Sequence, residues 1–146
     1  MEFRLRNCNV KDVSITYDIK KNALKRYIED TWGWDENFQL KYHKEKFKVD
    51  NTKLIIVGNQ EVGLLTVIDQ RDMIFIENVL IIKKYQSKGI GKTLIIQIID
   101  KAIKTKRDIL LEVLKVNKRA MDFYERFGFK VIDETNTKYK LKLCVQ

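Results

Sequence analysis

At 146 residues the chain suits one domain with a single core, and 45% hydrophobic with 34% charged residues is the balance of a folded globular protein rather than a disordered one. No apolar run approaches the ~20 residues that cross a bilayer, and the opening MEFRLRNCNV lacks the continuous apolar core of a secretion signal, so a cytoplasmic protein with no membrane partner is expected. The net charge of +9 points to an anionic ligand, but it is spread without a block of five like charges and without zinc-finger, helix-turn-helix or RNP-type patterns, so nucleic acid is not the expected partner.

Phe3, Leu5 and Asn7 alternate with Arg4 and Arg6, a period of two that predicts a first strand. From Val10 or Lys11 the period becomes helical, with Val13, Tyr17, Ala23 or Leu24, and Tyr27 or Ile28 on one stripe to about Asp30. Asn9 or Asp12 can cap its start, and a break near Lys20–Asn22 would split it into two helices. Thr31-Trp32-Gly33-Trp34-Asp35 holds both tryptophans around a glycine. A second amphipathic stretch, Glu36 to Phe47, carries Phe38, Tyr42 and Phe47 at helical spacing, and His43 on its polar part reads as a surface residue.

Lys53–Val57 and Val62–Ile68 flank the turn Gly58-Asn59-Gln60-Glu61 as a hairpin, and Met73–Ile82 is a long β-rich run. A helix opens near Gly89, with Leu94, Ile95, Ile98, Ile99, Ala102 and Ile103 on its apolar face and a basic tail, Lys104 to Arg107. Ile109–Val116 is a strand, parallel to the Met73 run across that helix. Asn117–Phe127 is a helix with Gly128 as its left-handed cap, and Phe129–Ile132 and Lys138–Val145 close the chain as a hairpin. Cys8 and Cys144 sit in strand-like segments near opposite ends, and the one histidine offers no ligand spacing with them. Buried free thiols and no metal are expected.

The stretch Ile81–Leu94, IIKKYQSKGIGKTL, runs from a strand through glycines into a helix. Such a turn leaves unpaired N–H groups at the positive end of the helix dipole, a site for phosphate. A P-loop needs a glycine where Gln86 stands, and a dinucleotide fingerprint needs one where Leu94 stands. What remains is Q-x-x-G-x-G, with Gln86, Gly89 and Gly91. Downstream lie Leu111-Glu112-Val113, Asn117, Ala120, Tyr124 and Phe127-Gly128-Phe129. Together these blocks resemble the GCN5-related N-acetyltransferase (GNAT) superfamily, well over Met73–Phe129 and more loosely in the flanking elements. The chain departs from that pattern where Lys83 or Lys84 replaces a frequent proline.

The resemblance implies an α+β fold in a single N-acetyltransferase domain, residues 1–146. Its sheet would have seven strands, mostly antiparallel, with a parallel, splayed pair formed by the fourth and fifth, and about four helices on both faces. It also implies acetyl-CoA as cosubstrate, with transfer to a primary amine in a ternary complex. Gln86, Ser87, Lys88, Gly89, Ile90, Gly91, Lys92 and Thr93 would hold the pyrophosphate, although Lys88 and Lys92 read equally well as solvated. Val79, Leu80 and Ile81 would offer backbone groups to the pantetheine arm, and Asn117 would bind the arm, cap its helix, or both. Tyr124 matches the family's general acid; a phenol of ordinary pKa is protonated at neutral pH and can give its proton to a thiolate.

Two carboxylates compete for the base. Glu77 lies in the apolar run MIFIENVLI, and Glu112 matches a position that serves as base in some relatives. Tyr27, Trp32, Trp34 and Asp35 could line the acceptor pocket as aromatic faces and a carboxylate for an amine cation, or the tryptophans could pack a helix corner. The expected partner is a small-molecule or peptide amine, and the chain would be a monomer or homodimer. The competing reading is a non-catalytic CoA- or acyl-CoA-binding module of the same fold.

Overall fold

The computed structural model describes residues 1–145. The alternating N-terminal segment forms β1, Arg4–Asn7. Asn9 and Asp12 then close a reciprocal cap: Asn9 Oδ1 accepts the Lys11 N–H at 2.9 Å and Asp12 Oδ2 accepts the Asn9 N–H at 2.8 Å. Both terminal nitrogens of Arg6 also reach Asp12, each at 3.1 Å, and with the Asn9 N–H they hold its carboxyl below the usual range.

α1 runs from Val13 to Trp32 without the break expected near Lys20. Its buried stripe, Tyr17, Ile19, Ala23 and Ile28, spans that point, and Gly33 at φ 81° ends the helix by donating its N–H to Glu29 O. After a one-turn corner, α2 covers Glu36–Lys46, capped by Asp35, whose Oδ1 accepts the Phe38 N–H at 3.0 Å.

The strands are β2 (Thr52–Val57), β3 (Gln60–Asp69), β4 (Met73–Ile81), β5 (Asp108–Leu114), β6 (Lys130–Glu134) and β7 (Lys138–Leu143). α3 (Ile90–Thr105) connects β4 to β5, and α4 (Lys118–Arg126) follows β5. The seven strands form one sheet in the order β1-β2-β3-β4-β5-β7-β6. β1–β2, β2–β3, β5–β7 and β6–β7 are antiparallel, and β4–β5 is parallel. This is the α+β fold, with seven strands, one parallel pair and four helices, that the sequence led us to expect. The β3–β4 hairpin changes register along its length: Gln70 bonds to Met73 at one end and Ile82 to Val62 at the other. The strands therefore absorb one extra residue between those points, as a β-bulge does.

The chain divides into two compact units, Met1–Thr66 with Asn78–Thr93, and Val67–Glu77 with the residues from Leu94 onward. In the first, Ile19 and Ala23 of α1 pack on Leu54 and Ile56 of β2, Leu64 of β3 and Leu80 of β4. In the second, Ile74, Ile76, Ile109, Leu111, Phe129 and Leu141 are among the buried residues. There Arg107, at the end of the basic tail, and Lys101 of α3 both pair with Asp69, so the tail does more than complement the helix dipole.

Two expectations are corrected. His43 is buried, not at the surface: its Nε2 lies 2.9 Å from Thr16 Oγ1 and its ring packs against Tyr17 and Phe47. The Thr16 hydroxyl lies 2.8 Å from Asp12 O, an acceptor only, so the consistent assignment has His43 Nε2–H donating to Thr16. Burial, with Lys20 nearby, pushes the imidazole pKa down to about 4. The cysteines are free, but Cys144 is exposed and Cys8 only half-buried. β7 ends at Leu143, which leaves Cys144 outside the strand. Among the described residues no cluster of three or more potential metal ligands occurs, and no helix is long and apolar enough to cross a membrane.

Candidate active site

The glycine stretch adopts the strand–turn–helix path that a phosphate site requires. After β4, a short turn of 3-10 helix, Lys83–Tyr85, leads to Ser87 at φ 60° and Gly89 at φ 88°. A β-carbon at Gly89 would meet nothing within 4 Å, so the turn faces open space, and the backbone angle is what calls for glycine there. The first helical bond runs from Thr93 N–H to Gly89 O at 3.1 Å. The N–H groups of Ile90, Gly91 and Lys92 thus lie in the first turn of α3, where helix geometry supplies no acceptor. Lys88, Lys92 and Thr93 are exposed beside them.

Side-chain bonds from inside and outside the loop fix its course. Asn22 of α1 accepts the Lys83 N–H at 2.9 Å, and Tyr85 donates to Gln60 Oε1 at 3.0 Å. Gln86 turns back to β4, its Nε2 donating to Ile81 O at 2.8 Å. The Gln86 amide nitrogen and the Ile81 carbonyl thus satisfy each other, and what they contribute to a ligand is the shape of the loop. Asn22 and Gln60 were not foreseen from sequence, where nothing distinguishes them from other surface amides.

In the second unit Asn117 caps α4, its Oδ1 accepting the Ala120 N–H at 3.1 Å. Gly128 at φ 97° ends the helix with paired bonds, Gly128 N–H to Glu125 O and Phe129 N–H to Tyr124 O. Tyr124 is buried between these caps, with Phe129 and Phe123 edge-on at 5.5 and 5.1 Å. Burial pushes its phenol pKa up, so the hydroxyl keeps its proton across the working range of an enzyme.

The parallel register of β4 and β5 runs from Met73↔Asp108 to Ile76↔Leu111, and β4 continues to Ile81. Glu77 and Glu112 are the residues next after the last aligned pair. Ile76 and Leu111 point into the core, so strand alternation turns both carboxylates to the opposite face. Glu77 is half-buried; Glu112 is exposed and stands opposite Lys140 of β7.

The family model for the acetyltransferase (GNAT) family matches residues 21–129, a span that includes the glycine turn, both carboxylates and α4. The chain belongs to the GNAT acetyltransferase family. Solved structures of similar fold include PH1933 from Pyrococcus horikoshii OT3, at 24% identity and TM-score 0.74 over 97% of each chain. The PaiA N-acetyltransferase of Thermoplasma acidophilum in complex with coenzyme A is 17% identical, with TM-score 0.76 over 97% of this chain and 98% of that one. Arabidopsis thaliana Naa50 in complex with a bisubstrate analogue, CoA-Ac-MVNAL, is 18% identical, with TM-score 0.68 over 98% and 99%. No curated protein sequence matches the chain.

On this GNAT chain the aromatic residues expected around an amine already hold cations of their own. The Lys25 ammonium lies 5.8 Å from the Trp34 ring, and Arg26 lies over Tyr27 at 4.9 Å while donating to its hydroxyl. Asp35 is engaged as the cap of α2, and Trp32 is exposed. The more polar cluster here centres on Glu36, which sequence reasoning passed over. It accepts from Lys21 Nζ at 2.5 Å and Trp34 Nε1 at 2.6 Å, bonds that hold its carboxyl down to about 2. Tyr17 of α1, close to Glu36, is buried. Burial first, then neighbouring Glu36, push its pKa up to about 12.

Proposed function

We propose that the chain is a single acetyl-CoA-dependent N-acetyltransferase domain, residues 1–146, that moves an acetyl group to a primary amine by direct attack in a ternary complex. The observation that carries this reading is the turn from Ile81 to Ile90. It opens a helix of the GNAT family with Gly89 left-handed, clear space on its outer side and first-turn N–H groups ready for an anion. The pyrophosphate of acetyl-CoA is the ligand of the residues from Gln86 to Thr93. The β4 backbone from Val79 onward lies beyond the aligned register with β5 and suits strand-like pairing with the pantetheine arm.

The chemistry then divides among few residues. Glu77, directly or through water, takes the proton from the ammonium of the acceptor. The amine nitrogen attacks the thioester carbonyl, the C–N bond forms, the C–S bond breaks, Tyr124 gives its proton to the departing thiolate, and the second proton lost by the attacking nitrogen passes through solvent to restore the Tyr124 phenol. Holding both reactants in attack geometry supplies several kcal/mol of the rate enhancement, up to ~10. The structures of PaiA N-acetyltransferase with coenzyme A and of Naa50 with the bisubstrate analogue CoA-Ac-MVNAL support CoA as cosubstrate and an amine as acceptor.

A thermal melt with acetyl-CoA at about 1 mM tests the binding half, since a ligand present at 100 times its Kd stabilises the fold by ~2.7 kcal/mol. No shift would sink the reading. A thiol-release screen over polyamines, amino acids and peptide N-termini tests the transfer half. Binding without turnover on any of them would favour a CoA-sensing module instead.

A further inference from the structure

We infer that Gly63 is a positioning residue for cofactor binding: the missing side chain at this place in β3 sets the path of the β4 backbone at Leu80 and Ile81. The inference rests on the reading above, in which that backbone pairs with the pantetheine arm. A β-carbon at Gly63 would lie 2.4 Å from the Leu80 carbonyl oxygen, 2.9 Å from Ile55 Cδ1 and 3.3 Å from Ile81 Cα. The Leu80 carbonyl thus sits where the first carbon of a side chain would be.

The reason for this glycine is space alone. Gly58 and Gly89 have positive φ and nothing within 4 Å, whereas Gly63 has no left-handed φ and is crowded. Two of its three close neighbours are β4 backbone atoms, which cannot rotate aside as a side-chain end can. Any side chain at 63 must move the Leu80 carbonyl by more than half an ångström to reach even the 3.0 Å floor of real contacts.

The peptide group that joins Ile81 to Ile82 is held on both sides, which fixes the C-terminal end of this piece of β4. The Ile82 N–H bonds to Val62 O at 2.9 Å, and Ile81 O accepts from Gln86. Displacement at Leu80 therefore appears as altered backbone direction in the stretch that reads the arm. The phosphate turn keeps its separate ties to Asn22 and Gln60. A defect at 63 is thus expected to be specific to the arm.

The test titrates CoA and 3′-phospho-ADP, which is CoA without its arm, into wild type, Gly63→Ala, Ile55→Val and the double variant. Ile55→Val removes the Cδ1 contact and leaves the Leu80 carbonyl contact in place, so the double variant provides a folded protein should Gly63→Ala alone fail. We expect CoA affinity to fall ~10-fold, the equivalent of one lost backbone hydrogen bond, in both variants that carry alanine. The affinity for 3′-phospho-ADP should stay within about twofold, and Ile55→Val should bind both as wild type does. Equal CoA affinity in a folded Gly63→Ala protein, or full recovery of it in the double variant, would overturn the inference and leave Gly63 a packing residue. Equal losses for CoA and 3′-phospho-ADP would overturn it as well. A wild-type protein that binds neither ligand would overturn the underlying reading, and this inference with it.

Discussion

Asn22 Oδ1 accepts the Lys83 N–H at 2.9 Å across 61 residues of sequence, and so joins the middle of α1 to the entrance of the glycine turn. An exposed bond of this kind contributes ~1 kcal/mol to stability. Its larger effect lies in holding the first residue after Ile82 so that Ser87 and Gly89 present the helix start.

Asn22→Ala should therefore lower the Tm by only a few degrees, about 2–4 °C for a chain of this size, while weakening CoA binding several-fold. Asn22→Asp keeps an acceptor oxygen and should retain most of the affinity. Melts and CoA titrations of the two variants check this. Identical CoA affinity in Asn22→Ala and wild type would remove the bond from any role in the loop.

Buried His43 gives the stability a pH dependence of defined sign. Its folded pKa is about 4 against 6.5 for the free side chain, because burial disfavours the imidazolium. Between those values the unfolded chain binds more protons, so this contribution is complete above pH 6.5 and declines as pH falls towards 4. The loss amounts to at most ~3 kcal/mol. Urea midpoints at pH 7.5, 6, 5 and 4.5 should fall in wild type, and the slope should flatten in His43→Gln. Parallel slopes would mean that other groups set the pH response.

How far the sequence could be read follows from which forces leave a local trace. The apolar face of α3, the capped start and glycine end of α4 and the turn at Gly89 are written in adjacent residues, and each stands where expected except for Ile103, which the fold leaves exposed. On α2, ENFQLKYHKEK, the aromatic pair Phe38 and Tyr42 marks a face that the fold leaves exposed, so the pattern sets His43 on the wrong side; its burial comes from Thr16 and Tyr17, distant in sequence. The aromatic corner was half legible. Its composition advertised affinity for cations, but only the folded chain reveals that Lys25 and Arg26 already meet Trp34 and Tyr27. Asn22 and Gly63 act through single atoms across the first unit, and no spacing rule reports such approaches.

Tyr124→Phe should separate chemistry from packing. The ring stays against Phe123 and Phe129, so the melting temperature and CoA affinity should change little. The proton donor is gone, and kcat should drop on the order of 10²-fold, the usual scale for general acid–base groups. Because burial keeps the phenol protonated, wild type should show no loss of activity near neutral pH from Tyr124 itself. A Tyr124→Phe enzyme with unchanged kcat would take the acid role from this residue.

Glu77 and Glu112 both follow the last aligned pair of β4 and β5, yet their surroundings differ. Glu112 is exposed and faces Lys140 on the neighbouring strand, a cross-strand pair worth a few tenths of a kcal/mol and readily replaced by water. Glu77 is half-buried on β4, next to the backbone proposed to hold the thioester, where a carboxylate can act on an entering ammonium. Glu77→Gln should accordingly lower kcat 10²-fold or more, with partial recovery as pH rises and the acceptor amine loses its proton unaided. Glu112→Gln should keep kcat within about twofold and shift the melting temperature by a degree or less, as a weak surface pair would. Rate profiles from pH 6 to 9.5 on the best amine found in the screen decide between them. The reverse pattern, with the rate lost in Glu112→Gln and high pH restoring it, would transfer the base to β5.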